Sequence, residues 1–329
     1  MSSLSPARRA VALAGEGRVA EALALLAESG AAGDGEALFA RGLWRVDGRL
    51  LRRDLSAARE DFRRAAEAGS RDAARVHAGF VAAGIGGPRD WPGALALLAA
   101  SDDPVMQRQH ELIAAMALTD NGDPRELPAS ETLSEAPAMS VTRGLFTPDE
   151  CRLLVELAEA RFKPALIFHE AQKRFVRDPL RDSDAAGFPI VLESPFVHAL
   201  NRRIAAASGT DVAQGETLQI LRYAPGQQYR PHFDAVPGMA NQRVLTALVW
   251  LNDDYEGGET LFLDSGRAVR GEQGDLLLFA NALPDGRPDP ATRHAGAPVT
   301  KGVKLIASRW IRARPGGPEG FGQHEAEGP

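Results

Sequence analysis

An α+β chain in two parts is predicted: an α-helical repeat domain followed by an antiparallel sandwich or jelly roll with flanking helices. Three observations predict it. Alanine makes up 29 of the first 118 residues, and apolar positions there recur at helical spacing. From Thr217 onward, short apolar runs alternate with turns marked by Gly and Pro. Fifteen of the twenty aromatic residues lie from Phe146 onward, so the second part holds the bulkier core. A length of 329 residues agrees with about two domains.

The repeat is read first. A shift of 36 residues aligns Val19 with Leu55 and Trp91, Ala22 with Ala58 and Ala94, and Leu26 with Phe62 and Leu98. These positions lie three or four apart, as one helix face requires. The small alanines let helices approach closely, and the larger residues fill the gaps. Helices are predicted over about 18–29, 36–45, 54–68, 71–83 and 90–100, punctuated by Gly33, Gly69 and Gly84–Gly87. The pattern Asp54-x-x-x-Ala58 followed by Ala65-Ala66-x-x-Gly69 resembles the Sel-one-like repeat, a relative of the tetratricopeptide repeat. The helical domain is therefore assigned to 1–118.

Residues 119–140 have no period and carry Pro124, Pro128 and Pro137; they are expected to form a linker. Thr147-Pro148-Asp149-Glu150 is a capping box with proline at the first helical position, opening an amphipathic helix. Ser194-Pro195 opens another that ends before Gly209. Strands are expected over 217–223, 229–234, 243–252, 259–263, 275–279, 291–297 and 303–312. The second domain is placed at 141–314, and the Gly-, Pro- and Glu-rich segment 315–329 is expected to be a disordered tail.

A net charge of −6 argues against a nucleic-acid or anionic-membrane footprint. The single cysteine, Cys151, excludes an intrachain disulfide and any multi-cysteine zinc site. Neither a secretory signal nor an apolar span long enough to cross a membrane is read, and a cytoplasmic protein is expected.

The chemistry concentrates in the strands. In His232-x-Asp234, strand side chains at i and i+2 share a face. His294 on a later strand completes two histidines and one carboxylate, the ligand set of non-haem Fe(II) oxygenases. On the last strand Lys304, Ile306, Ser308 and Trp310 share a face; if it points inward, Lys304 is a buried cation in need of an anion. A dicarboxylate co-substrate chelating the iron at one end would supply that anion.

The segment Leu218–Arg314 resembles the catalytic domain of the prolyl 4-hydroxylase family of Fe(II)/2-oxoglutarate dioxygenases. The residues that carry this are Arg222-Tyr223-x-x-Gly226-Gln227-x-Tyr229-x-Pro231-His232-Phe233-Asp234, then Gln242-Arg243-x-x-Thr246-x-Leu248. Gly257-Gly258-Glu259-Thr260-x-Phe262, His294-Ala295-Gly296-x-Pro298-Val299-x-x-Gly302-x-Lys304 and Trp310-Ile311-Arg312 follow in the same order.

The resemblance implies a double-stranded β-helix (jelly roll), with His232, Asp234 and His294 as Fe(II) ligands. It further implies that Lys304 pairs with the distal carboxylate of 2-oxoglutarate, aided by Tyr223 and Thr260. Tyr229 would border the iron, and Arg243 and Trp310 would contact substrate or line the pocket. O2 is the second co-substrate and L-ascorbate the reductant. The expected activity is hydroxylation of prolyl residues in a protein or peptide recruited by the repeat domain. The alternatives are hydroxylation of a free amino acid or small metabolite, and a non-catalytic scaffold or sensor.

Overall fold

Helix starts follow the 36-residue period. The computed structural model describes residues 4–169, 174–177, 180–283 and 285–316. Its first part holds α1 (Pro6–Gly15), α2 (Val19–Ala31), α3 (Gly35–Asp47), α4 (Leu55–Glu67), α5 (Arg71–Ala83), α6 (Trp91–Ala99) and α7 (Pro104–Ala115). Val19, Leu55 and Trp91, aligned by sequence, are the first residues of α2, α4 and α6. The caps repeat as well. Asp54 and Asp90 accept the amide hydrogens of Ala57 and Gly93 at 2.9 and 2.8 Å. Asp34 and Ser70 do the same for Ala37 and Ala73 at 3.0 and 3.3 Å. Each such cap stabilises its helix by about 1 kcal/mol.

The aligned alanines Ala22, Ala58 and Ala94 are fully buried, as are Leu26, Phe62 and Leu98. Phe62 meets Phe80 edge to face with centroids 5.1 Å apart. Asp61, buried on α4, receives Arg41 and Arg45 of α3 at 2.5 and 2.6 Å, so its charge is paired.

The chain divides into two compact units: Met1–Gly122 with Ile190–Ala199, and Asp123–Pro189 with Leu200–Pro329. The expected contiguous domain 141–314 is corrected here. Ile190 and Val191 pack on the Phe62–Phe80 cluster, so this stretch belongs with the helices.

The second unit contains β1 (Ser130–Glu135), β2 (Ala138–Thr142), α8 (Pro148–Glu159), β3 (Lys163–Pro164), β4 (Leu166–His169), β5 (Arg174–Arg177) and β6 (Asp184–Gly187). Helix α9 (Pro195–Ser208) begins in the first unit and belongs to the second from Leu200 onward. Then come β7 (Gln219–Tyr223), β8 (Tyr229–His232), β9 (Arg243–Trp250), β10 (Glu256–Gly257), β11 (Thr260–Phe262), β12 (Arg267–Val269), β13 (Leu276–Ala280), β14 (His294–Gly296), β15 (Val299–Lys301) and β16 (Lys304–Arg312). The larger sheet has the order β1-β2-β13-β9-β16-β7-β6-β3 and the smaller β12-β11-β14-β8. Pairing is antiparallel and successive strands pass between the sheets, which makes the unit a jelly roll, a double-stranded β-helix. Trp250, Phe262 and Phe279 fill the core between them.

Two further corrections arise. The segment 119–140, expected as a linker, contains β1 and the start of β2, and β2 extends the larger sheet by pairing with β13. Its exposed face is polar, so no apolar period betrays it. The strands β3 and β6 likewise lie in a stretch that has no period in the sequence, as does β12 at 267–269. The expected tail is described only to Gly316; 317–329 lie outside the described residues.

Helix α8 carries the predicted capping box. The Thr147 amide donates to Glu150 at 2.8 Å, and the Glu150 amide donates to Thr147 Oγ1 at 3.3 Å. Cys151 on this helix is fully buried, and burial, with Glu150 beside it, pushes its thiol up to about 12. It is therefore an unreactive thiol at neutral pH.

Candidate metal centre

His232 ends β8 and His294 begins β14, and the two Cα positions are directly paired across the smaller sheet. That register brings their rings to 4.3 Å between centroids. Asp234, just beyond β8, reaches between them: Oδ1 lies 3.6 Å from His232 Nε2, and Oδ2 lies 3.5 Å from His294 Nε2. One ligand atom from each of the three falls within 4.8 Å of the others, so together they could hold a metal ion.

The imidazoles are aimed by their own backbone. His232 Nδ1 is 2.8 Å from the Arg230 carbonyl, and His294 Nδ1 is 2.9 Å from that of Thr292. A carbonyl only accepts, so Nδ1 carries the proton in each ring and Nε2 presents its lone pair inward. Burial keeps the His294 pKa below the ordinary imidazole value, although Asp234 opposes this. Burial alone would raise the Asp234 carboxyl; His294, His232 and the Thr246 hydroxyl outweigh it and hold the group well below the usual carboxylate range. Both shifts favour the ligand forms, neutral imidazole and ionised carboxylate. Tyr229 stacks on His232 with centroids 3.5 Å apart, which restrains that ring from one face.

The three residues line a common cavity. Five of the six other site residues expected from the sequence line it too: Tyr223, Tyr229, Thr260, Lys304 and Trp310. The alternation predicted for the last strand holds, since Lys304, Ile306, Ser308 and Trp310 all face the cavity. Arg243, expected to contact substrate or line the pocket, is not among the lining residues. Its guanidinium is held by Glu216 at 2.7 and 2.9 Å and lies 3.7 Å from the Trp310 ring centroid. It backs a cavity-lining ring instead of entering the cavity.

Lys304 is 4% exposed, and its ammonium donates to the Gly258 carbonyl at 2.6 Å. Among the described residues no carboxylate forms an ion pair with it. Tyr223, its direct cross-strand neighbour, places a ring 5.8 Å from Nζ. Gly257 and Gly258 turn the chain with φ of 73° and 71°. A Cβ on Gly258 would sit 3.1 Å from Lys304 Cδ, so the glycine also makes room for the lysine stem.

Burial pushes the Lys304 pKa from 10.5 down to about 8; Glu259 opposes this and Arg270 adds to it. The sign follows directly. Between those values the unfolded chain binds a proton that the folded chain does not, so stability rises with pH there. With no anion bound, the gain across the window is about 3 kcal/mol. Lys304→Met removes that gain, and denaturant titrations of both proteins across the window measure it. An identical pH slope in the variant would exclude Lys304 as its source.

Two residues to which the sequence gives no role stand behind Asp234: Thr246, which belongs to the quoted motif, and Asn281, which belongs to none. Arg181 lines the cavity at 8% exposure, with its guanidinium 5.4 Å from the Tyr229 ring. It comes from the stretch Arg181-Asp182-Ser183-Asp184 before β6, for which the family resemblance implies a place at the active-site mouth.

Residues 218–312 match the 2OG-Fe(II) oxygenase superfamily. Prolyl 4-hydroxylase 1 of Arabidopsis thaliana is 32% identical over 203 residues, covering 56% of this chain and 72% of that protein. The chain belongs to the prolyl 4-hydroxylase family. It is thus a 2-oxoglutarate-dependent dioxygenase, which implies Fe(II), 2-oxoglutarate and O2. Another prolyl 4-hydroxylase relative, subunit alpha-1 of Gallus gallus, is 32% identical over 180 residues, covering 52% of this chain and 34% of that one. The viral collagen prolyl hydroxylase of Paramecium Bursaria Chlorella virus-1, in its 2OG complex, is 25% identical, with a TM-score of 0.43 over 54% of this chain and 96% of that one.

The residues present fit a prolyl 4-hydroxylase's iron and co-substrate. Two imidazole nitrogens with free lone pairs and one carboxylate are a donor set suited to Fe(II) with positions left open. The buried ammonium of Lys304, with two hydrogens beyond the one given to Gly258, fits the far carboxylate of a dicarboxylate.

Proposed function

We propose that this chain hydroxylates a prolyl residue of a protein or peptide. The observation that carries the reading is Lys304, a buried ammonium in the same cavity as His232, Asp234 and His294. That pairing suits a co-substrate with a metal-chelating end and a free carboxylate. The prolyl substrate is supported by the similarity to prolyl 4-hydroxylases, among them the Arabidopsis thaliana protein at 32% identity.

The Nε2 atoms of His232 and His294 and the carboxylate of Asp234 hold the metal. Lys304, with Tyr223 and Thr260, holds the distal carboxylate of 2-oxoglutarate and so fixes the direction in which it lies. The apolar walls Leu221, Leu248 and Ile306 exclude water. Trp310, backed by Arg243, and Tyr229 shape the side from which substrate enters. When bound, Fe(II) with O2 and 2-oxoglutarate supplies the oxidising power that turns C–H into C–OH and releases succinate and carbon dioxide. L-Ascorbate would be the reductant, as the family resemblance implies. The single cysteine fits a reducing, cytoplasmic setting; among the described residues no helix is long and apolar enough to cross a membrane.

The test supplies the full chain with Fe(II), 2-oxoglutarate and either a proline-containing peptide or free L-proline. Succinate formation and the mass of one added oxygen are expected with the peptide. Equal turnover of free proline would replace this reading with the metabolite one.

Recruitment belongs to the helical unit in this proposal. A groove beside the starts of α3 and α5 is lined by Phe39 and Leu43 and carries both signs of charge, Arg8 and Arg71 beside Asp34, Glu36 and Asp72, with Arg71 also 3.3 Å from Asp102. Charge reversal probes it better than truncation, because residues 190–199 complete this unit and β2 begins at Ala138. Arg8→Glu with Arg71→Glu should raise KM for a full-length protein substrate by about 2- to 5-fold per charge. Turnover of a short peptide should keep its parent KM. A protein substrate indifferent to both changes would remove the groove from recruitment.

A further inference from the structure

Asp234 has a partner that the ligand set does not explain. Thr246 Oγ1, from β9, donates to Asp234 Oδ2 at 2.6 Å. Asn281 Nδ2, just past β13, donates to the same Thr246 oxygen at 2.8 Å. Both supporting side chains are essentially inaccessible, at 1% and 0% exposure.

The direction of this chain is dictated by proton count. A hydroxyl has one hydrogen, and an ionised carboxylate can only accept. The hydrogen therefore points to Asp234, and Thr246 must receive from its other neighbour, which the amide nitrogen of Asn281 satisfies. A carbonyl oxygen of Asn281 in that place would compete for the same hydrogen.

Asn281 is fixed in turn by its main chain. Its amide donates to the Val244 carbonyl at 2.8 Å, and its carbonyl accepts from the Asp289 amide at 3.0 Å. Asp289 caps the short turn Pro290–Thr292, and the Thr292 carbonyl is the one that aims His294. One residue thus ties the carboxylate arm to the imidazole arm.

We propose that Thr246, directed by Asn281, is a positioning residue: by donating to Asp234 Oδ2 it fixes the rotation of the carboxylate between the two imidazoles, so that the three donor groups are set before a metal ion binds. The inference rests on the metal-centre reading above.

Thr246→Val keeps the shape and removes the hydrogen; Thr246→Ser restores it. The probe is Co(II), titrated calorimetrically into the metal-free full chain, with the visible d–d spectrum of the loaded protein recorded alongside. Thr246→Val is expected to weaken Co(II) binding by about 10- to 100-fold and to alter the d–d bands. Thr246→Ser is expected to return both to the parent values. Parent-like affinity and spectrum in Thr246→Val would overturn the positioning role, as would equal losses in the valine and serine variants. Failure of the parent chain to bind Co(II), or binding that survives His232→Ala, would overturn the metal-centre reading and the inference with it.

Discussion

His232→Ala ends substrate-dependent succinate formation. The loss should exceed 100-fold, because even residues that merely support metal ligands typically cost about 10- to 100-fold. The physical reason is local. His232 is paired in register with His294 and supplies one of the three donor atoms that lie within 4.8 Å of one another. Alanine leaves one imidazole and one carboxylate, and Tyr229 loses the ring on which it stacks. The assay is succinate release with peptide present, read beside the thermal unfolding of the metal-free variant to show that the fold persists. Turnover equal to the parent's would sink the assignment of His232 as a ligand. Asp234→Ala should behave alike.

The second large effect falls on a different parameter. Lys304→Ala should raise the 2-oxoglutarate requirement while Co(II) binding stays intact. Removing one member of a buried, hydrogen-bonded charge pair costs about 2–5 kcal/mol, largely because the other charge is left unpaired. That converts to a rise in the apparent 2-oxoglutarate KM of about 30-fold to a few thousandfold. Lys304→Met, which keeps the bulk of the buried stem, relieves the metal-free protein of a buried cation, so that variant gains stability at neutral pH as it loses co-substrate affinity. Opposite signs for stability and affinity separate a binding role from simple damage to the core. A rise confined to the peptide KM would show that the lysine meets substrate instead.

Much of this was legible in the sequence because the relevant physics is periodic or local. Val19, Leu55 and Trp91 mark helix starts since the same caps precede two of them, Asp54 and Asp90. Lys304 and Trp310 could be placed on one face because a strand alternates with period two. The His232-x-Asp234 pair follows the same rule, although Asp234 lies just past the strand end. What was not legible depends on register between distant strands. Thr246 and Asn281 lie 35 residues apart and meet only because β9 pairs with β13. Arg243 matches a motif, yet Glu216, from well upstream, draws its charge out of the pocket. The β1–β2 hairpin is too polar on its outer face to show an apolar pattern, and its order comes from main-chain pairing with β13.

The ligands and the lysine stand on different layers. His232 and His294 come from the smaller sheet, with Asp234 directly after it, whereas Lys304, Tyr223 and Trp310 come from the larger one. Under the proposed function, a co-substrate held by the metal ligands at one end and by Lys304 and Tyr223 at the other would link the two layers, although Thr260 would hold its far end from the smaller sheet. Parting the two layers would require breaking its hold at one end, so saturation should slow unfolding as well as permit turnover. The abundance of a central metabolite would then govern how long each copy of the enzyme survives proteolysis, in addition to how fast it works.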